Sequence, residues 1–447
     1  MEKSRIEELP KGACRFMGDI EKDSVKQFLP LVFEWAWGVW VFSRVVLEGN
    51  IESLPWFGPF KVICLGGSVV ASLCAAWLHK RRVSPAATGV WLVVFGLAVL
   101  LRFTEGSWVV LTATFMVFAA WLGGFDCRRL FLAALYALAA GIFMVVLLAG
   151  FDVIPKGFIG AGTDRLRSSF GFQWPSRLPN FLLTITMIYV CTTKRRLPVR
   201  SALICLGLAT LVYCDSNSRA PFLCTAAVLL VVLLCQRVPM PRGRWVPWAC
   251  LGFLGIVVAG TFWLAATYDP SVPWMASLNS AMSNRLLYSH NAFVSTGIMP
   301  FGSPLFSGES IDPRGVGYLD AGYLSLFFSD GWVFGCLWLA CFAALLFWAA
   351  RTKAWSVLVC LLLVAAQGAM ESKVLALQYT PFLLLFPDAI SWVWKSLGHR
   401  GDSSLENPPL AQHAEAGECK ERQPHYPAYG PQHLKGIDED AGQDNDS

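Results

Sequence analysis

The sequence predicts an all-α membrane protein with about twelve transmembrane helices and two long outer loops, and three observations lead to that prediction. The 447 residues are 55% hydrophobic and 15% charged, and their mean hydropathy is +0.50. A soluble domain cannot bury that much apolar surface. Apolar stretches near the length of a membrane span, about 20 residues, recur along the chain. The 19 Trp and 31 Phe fit aromatic belts at the membrane surfaces.

The apolar stretches give the predicted spans in order. They cover residues 29–47, 59–78, 85–102, 107–125, 129–150, 178–193, 199–214, 220–236, 246–267, 322–350, 355–370 and 374–394. The stretch 322–350 is long for one span and is interrupted by Ser329-Asp330-Gly331. We therefore expect a short half-helix before Gly331.

Basic residues predict the orientation, because Lys and Arg collect in cytoplasmic loops. With the N-terminus inside, every predicted inner loop carries at least two basic residues, such as Arg128 with Arg129 and Arg351 with Lys353. Both termini are then cytoplasmic. The predicted outer connections are residues 48–58, 103–106, 151–177, 215–219, 268–321 and 371–373.

Three regions follow from this pattern. Residues 1–28 are charged and polar, too long and mixed for the start of a cleavable signal peptide, so we expect a cytoplasmic segment followed by an uncleaved anchor. Residues 29–394 form the membrane domain. Residues 395–447, rich in Pro, Glu, Asp and Gln, are typical of a disordered cytoplasmic tail.

Several functional classes find no support in the sequence. Most of the 14 Cys lie inside apolar runs, where Cys is a small hydrophobic residue, and their spacing indicates neither a metal site nor a disulfide framework. We expect no metal and no cofactor. The net charge of +5 is small and spread over short loops, so no nucleic-acid partner is predicted.

Arg219 lies in a short hairpin between two apolar stretches, Asp215-Ser216-Asn217-Ser218-Arg219-Ala220-Pro221. A charge in that position is a candidate functional group. The hydroxyl and amide side chains of residues 216–218 could cap the next helix, whose N-terminus favours an anion. The alternative is an arginine that reaches lipid headgroup phosphates.

The two long outer loops hold further candidates. Arg165 and Arg167 in the first loop suit a phosphate clamp, because the guanidinium offers a planar fork of donors. Long loops are also translocated regardless of charge. In the second loop, residues 279–295 could form an amphipathic helix on the membrane with Arg285 and Ser289 one turn apart. His290 could act as a base or simply be solvated.

Asp320 directly precedes an apolar helix and is either its N-cap or a general base for a sugar hydroxyl. Tyr318 and Tyr323 flank it, and aromatic faces suit sugar rings. Glu371 stands at an outer turn, where an ion pair with Lys373 or an arginine is expected. Arg44 and Glu48, four residues apart on a helix, are a further expected ion pair.

The order of these motifs resembles the O-antigen and exopolysaccharide polymerase superfamily, which also contains the O-antigen ligases. The resemblance covers roughly residues 160–385. It rests on an arginine-containing first loop, a Ser-Arg hairpin and a large outer loop that opens with an arginine, passes a Phe-Gly step and ends at an acid before a Tyr-Leu helix start. These are Arg165 and Arg167, Asn217-Ser218-Arg219-Ala220, Arg285, Phe301-Gly302, Asp320-Ala321-Gly322-Tyr323-Leu324 and the late Glu371.

The resemblance implies a glycosyltransferase-C-like fold and metal-independent, inverting glycosyl transfer on the outer leaflet of the bacterial cytoplasmic membrane. The donor would be a glycan on a polyprenyl diphosphate, and the acceptor a lipid-linked repeat unit. Arg165 or Arg167, Arg219 and Arg285 would hold the diphosphate, and Asp320, or else His290, would activate the acceptor. A chain-length regulator or a flippase would be the protein partner.

Two alternatives remain open. An O-antigen ligase would use the same arginines, but its usual His-Asn pair follows the Phe-Gly step, whereas His290-Asn291 precedes Phe301-Gly302. Ala321 also stands where the superfamily usually has Asn. A transporter for lipid-linked oligosaccharides would need charged residues deep within several helices. Most ionisable residues here lie at helix ends or in loops.

Overall fold

The computed structural model describes residues 11–52, 54–79, 89, 93–94, 96–99, 108–159, 167–193, 196–237, 243–303 and 319–398. The first half of this part holds these elements: α1 Lys11–Val46, α2 Phe57–Lys61, α3 Gly67–His79, α4 Trp108–Gly123, α5 Cys127–Gly150, the minimal hairpin of β1 Phe158–Ile159 and β2 Arg167–Ser168, and α6 Arg177–Thr192. A π-helical turn, Val62–Gly66, joins α2 to α3.

The second half is also helical. Its elements are α7 Val199–Ser216, α8 Arg219–Cys235, α9 Val246–Thr267, α10 Pro273–Ala281, α11 Arg285–Thr296, α12 Gly322–Phe328, α13 Trp332–Arg351, α14 Trp355–Gly368, the 3-10 turns Ser372–Leu375 and Pro381–Leu385, and α15 Phe386–Gly398. The antiparallel pair β1–β2, with Phe158 opposite Ser168, is the only sheet within the described residues.

The long helices are apolar enough to cross a membrane. Within the described residues, six segments meet that description: Phe28–Val46, Phe57–His79, Cys127–Gly150, Val199–Ser216, Val246–Thr267 and Trp332–Arg351. Four shorter apolar helices accompany them, at Val109–Gly123, Arg219–Cys235, Trp355–Gly368 and Pro381–Val393. The described part is therefore that of a helical membrane protein. The count of about twelve spans stays a prediction, and the predicted span 85–102 lies largely outside the described residues.

The break predicted within residues 322–350 is confirmed. Helix α12 ends at Phe328 and α13 begins at Trp332. Gly331 between them has a φ of +88°, and a Cβ there would collide with the backbone around Pro300 and Gly302. The amide of Trp332 donates to the carbonyl of Met299 at 3.1 Å. The break between α12 and α13 is thus held by the segment that follows α11.

The continuous span predicted over residues 374–394 is wrong. Regular α-helix begins only at Phe386, after two 3-10 turns and a non-helical stretch. Pro381 disfavours helix for the residue before it. The polar side chains ahead of the proline also find tertiary partners: Tyr379 reaches Glu48, and the Thr380 hydroxyl donates to the carbonyl of Val374. Irregular backbone at this depth is tolerated because protein surrounds it.

The core is built around α1, which packs mainly against α3 and α5. Phe33, Trp37 and Trp40 of α1 are fully buried, and the Trp37 indole donates to the carbonyl of Leu130 at 2.9 Å. Helix α6 packs between α5 and α8, while α14 packs against α8 and α13. These contacts bring the C-terminal ends of α1 and α14 and the N-terminal ends of α6 and α11 to one end of the bundle.

Two predicted outer connections meet at that end. The Asn50 amide donates to the carbonyl of Gly171 at 2.8 Å, and the Gln173 amide donates to that of Glu48 at 3.0 Å. The Asn50 side chain also donates to the carbonyl of Phe172 at 3.0 Å. The segments 48–58 and 151–177 therefore lie on the same side of the molecule, as the basic-residue pattern predicts.

Candidate functional site

Arg285 is the centre of a charged cluster that joins three separate parts of the chain. Its Nε lies 3.1 Å from Oδ2 of Asp320, and its Nη2 lies 3.6 Å from Oε2 of Glu371. Its Nη1 donates to the carbonyl of Met370. One guanidinium thus bridges two carboxylates. The predicted ion pair of Glu371 with an arginine is confirmed.

A break in the second outer loop places Arg285 at a helix start. The single amphipathic helix predicted over residues 279–295 is two helices instead, because Ser283 and Asn284 adopt positive φ. The Asn279 side chain explains the break. It donates to Oδ1 of Asn284 at 3.1 Å and accepts the backbone amide of Leu287 at 3.0 Å. The predicted neighbourhood of Arg285 and Ser289 holds, since the Ser289 hydroxyl donates to the Arg285 carbonyl at 2.8 Å.

Asp320 is shielded from solvent yet reachable, with 21% of its side chain exposed. Burial raises its pKa to about 6; Arg285 opposes that shift and the nearby Glu371 adds to it. It does not cap the following helix, because the N-cap of α12 is Ala321 and no side chain caps it. Of the two roles predicted for Asp320, the N-cap is wrong. The general base stays a prediction, and a pKa of about 6 suits it.

A second set of charges lies beside the first, at the end of α1. Glu48 binds Arg177 at 2.7 Å and its expected partner Arg44 at 3.7 Å. It also accepts from the Gln378 amide at 3.4 Å and the Tyr379 hydroxyl at 3.3 Å. Burial opposes ionisation of Glu48, yet Arg177 and the other nearby cations hold its pKa below the usual value. Sequence reasoning found the local pair but missed Arg177.

Lys373 connects the two sets. It is partly buried and close enough to Glu48, Glu371 and Arg177 to interact with each electrostatically. Burial lowers its pKa, and Arg177 adds to that effect. The predicted pairing of Glu371 with Lys373 is not made at ion-pair distance in the described part of the chain, since Glu371 binds Arg285 instead.

The Ser-Arg hairpin lies next to the start of α6. The Ser218 hydroxyl donates to the carbonyl of Pro175 at 3.3 Å, two residues before Arg177. Ser218 is the N-cap of α8 but makes no side-chain capping bond, so the predicted capping by this side chain is wrong. Arg219 is the first residue of α8 and is exposed. No contact between Arg219 and the Arg285 cluster is seen among the described residues.

The remaining candidates are placed differently. Arg167 lies half-buried in β2, and Arg165 and Tyr318 fall outside the described residues. Tyr323 is fully buried and its hydroxyl donates to the carbonyl of Ala365 at 2.7 Å, so its ring offers no face to a sugar in this conformation.

His290 is half-buried on α11 and takes no part in the ion pairs of Arg285 with Asp320 and Glu371. Its Nδ1 lies 2.9 Å from the carbonyl of Ala265, and its ring packs edge-on against Tyr268. The carbonyl can only accept, so the inferred tautomer carries its proton on Nδ1 and leaves Nε2 as the free acceptor.

Within the described ranges, no group of three or more His, Cys, Asp or Glu side chains could hold a metal ion. The cluster's own chemistry is that of arginines, a lysine and carboxylates, which suits anion binding and proton transfer. Comparison of the chain with protein-family models, with curated proteins and with solved structures finds no match in any of the three.

Proposed function

We propose that this protein is a membrane glycosyltransferase that polymerises lipid-linked oligosaccharide repeat units into a surface polysaccharide. The observation that carries the proposal is the meeting of Arg285, Asp320 and Glu371 at one end of the bundle. Such a site combines a cation for an anionic leaving group with a carboxylate that is available as a base near neutral pH. The resemblance described above supplies the substrate class.

In the proposed reaction the acceptor hydroxyl attacks the anomeric carbon of the donor sugar. The new C–O bond forms as the bond to the polyprenyl diphosphate breaks, and its electron pair leaves with the diphosphate. Asp320 takes the proton of the hydroxyl. Arg285, with Arg219 and one of Arg165 and Arg167, neutralises the charge that builds on the leaving group. Attack from the face opposite the leaving group inverts the anomeric centre.

The proposal places the reaction on the outer leaflet of the bacterial cytoplasmic membrane, with both termini inside. The lipid-linked substrates then meet within the membrane plane, where a shared binding surface replaces three-dimensional encounter with proximity. A chain-length regulator or a flippase is the expected protein partner. Arg285, Asp320 and Glu371 are far apart in the sequence, so the site is assembled only when the membrane domain folds.

One observation favours a transporter as the second candidate. The buried, non-helical backbone of residues 376–380, tied to Glu48, is the kind of helix interruption found where transporters bind substrate. However, the cluster sits at helix ends rather than midway along several helices. For the ligase alternative, His290 rather than Asp320 would be the base.

The test is a glycan gel of a strain that lacks this protein, complemented with wild type, Asp320→Asn or Lys156→Met. Lys156 is a matched control because it lies on the same side, is 46% exposed and pairs with Asp152 at the surface. We expect Asp320→Asn to slow polymerisation about 10²–10⁴-fold, the usual contribution of a general base, and to leave single repeats on the final acceptor. Lys156→Met should give the full ladder.

Other outcomes assign the alternatives. Repeats that stay on the carrier lipid outside the cell and never reach the final acceptor would identify a ligase. Repeats retained on the inner leaflet would identify a transporter. A full ladder from Asp320→Asn protein made at normal levels would remove Asp320 from the mechanism.

A further inference from the structure

The charges at the end of the bundle are unevenly distributed. Arg285 is shared by two carboxylates, Asp320 and Glu371. Beside it, Arg44 and Arg177 share the single carboxylate of Glu48. Lys373 adds a further cation to this second group. Four cations thus face three carboxylates, and the positive excess lies around Lys373.

Lys373 is the cation whose charge is not balanced by a direct partner. Within the described ranges, its amine makes no ion pair closer than 4.0 Å and no hydrogen bond, whereas Arg177 is held by Glu48 at 2.7 Å. An ammonium group that is partly withdrawn from water without a hydrogen-bonding partner is unfavourable. A bound anion would remove that cost.

We propose that Lys373, with Arg177 and Arg44 behind it, forms a binding site for a phosphoryl anion. The ammonium group is a compact point charge with three donors, which suits a phosphate oxygen. Because Arg177 is buried and already paired, it contributes its field, and Lys373 is the group that contacts the ligand. None of these three residues belongs to the arginine set assigned to the donor diphosphate.

This site gives the second lipid-linked reactant a place to bind. Under the proposed function, on which this assignment rests, donor and acceptor each carry a polyprenyl diphosphate. Arg285 and Arg219 serve the donor, and the Lys373 site takes the diphosphate of the acceptor. Lys373 interacts electrostatically with Glu371, and Glu371 in turn binds Arg285, so the two anion sites lie side by side. The acceptor hydroxyl can then approach Asp320, which also binds Arg285.

Binding to purified full-length protein in detergent tests the inference with three probes: inorganic pyrophosphate, a polyprenyl diphosphate and the matching polyprenyl alcohol. We expect both phosphorylated probes to bind wild type and Lys156→Met equally, and Lys373→Met to weaken binding at the Lys373 site at least tenfold while the site at Arg285 keeps its affinity. Lys373→Arg should retain binding, and the alcohol should not discriminate among the proteins. If the binding of polyprenyl diphosphate depends on Lys373 and pyrophosphate does not bind, the site is specific for a lipid headgroup.

Amine-reactive labelling of wild type gives a measurement that does not depend on a variant's folding. Pyrophosphate or polyprenyl diphosphate should slow the modification of Lys373 and leave Lys156, the internal control, unchanged. Equal labelling rates with and without both ligands, or Lys373→Met that folds and binds both like wild type, would overturn the inference. Anion binding without polymerisation would instead remove the proposed function and leave the Lys373 site standing.

Discussion

At the residue scale, the chemistry depends on how Asp320 is held. Its carboxylate is shielded, paired with Arg285 and close to Glu371, and burial raises its pKa to about 6. A base must be deprotonated to act, so its working form is present above that pKa and is lost as the pH falls through it. The ion pair with Arg285 keeps the carboxylate ionised near neutral pH in spite of its burial.

The pH dependence of the initial rate tests this assignment. We expect the wild-type rate to rise as the pH increases through about 6 and then to level off, because Asp320 has the pKa of about 6. Glu371→Gln removes a neighbouring negative charge that raises the Asp320 pKa, so its profile should shift to lower pH. A Glu371→Gln profile that coincides with that of wild type would mean that Asp320 does not control the rate.

At this scale the sequence predicts the charged groups whose place beside an apolar helix is itself unusual. The positions of Arg285, Asp320 and Glu371 before or between apolar helices mark them as candidates, and Arg285 binds both carboxylates. Arg177 was missed because nothing local distinguishes it from an ordinary arginine at the end of a loop. Its partner Glu48 is 129 positions away, and only tertiary packing brings the two together. One sequence feature could have indicated this pair. Glu48 is an acid at a helix end, and more than one basic residue far away in the sequence lies on the same predicted side of the membrane.

At the element scale, interruptions of helices position the site. The break at residues 329–331 separates α12 from α13, and Asp320, just ahead of α12, lies 3.1 Å from Arg285. The sequence predicts this interruption from Ser329-Asp330-Gly331, since Gly supplies a positive φ without steric cost. The sequence does not predict the interruption at residues 376–380. An apolar stretch with a few polar residues has the pattern of a membrane span, and only the tertiary partners of those polar residues show otherwise. Glu48 and Val374 supply those partners here.

Gly331→Ala tests the role of the first interruption. At φ +88° a Cβ would meet the backbone of the segment around Pro300 and Gly302, so we expect an apparent destabilisation of about 1–3 kcal/mol, seen as a lower melting temperature in detergent. Gly255→Ala is the matched control, because its Cβ would meet nothing within 4 Å on α9. Equal melting temperatures for Gly331→Ala and wild type would show that this turn relaxes without cost.

At the scale of the whole molecule, the composition predicts a helical membrane protein, and the structure supplies long apolar helices of that kind. The basic-residue pattern also places residues 48–58, 151–177, 268–321 and 371–373 on one side, and charged groups from all four meet. Which side of the membrane this is stays a prediction. Periodicity and charge fix elements and sides, whereas the pairing of helices depends on side-chain shapes that no local pattern encodes.

The most direct test of the proposed function uses purified protein in vesicles with one polyprenyl-diphosphate-linked repeat unit as the only substrate. Wild type should join repeats and release one polyprenyl diphosphate for each new glycosidic bond, without a nucleotide sugar. Arg285→Ala should lose both products together, whereas Lys156→Met should keep them. Wild-type protein that binds the substrate yet forms no bond and releases no polyprenyl diphosphate would contradict the account.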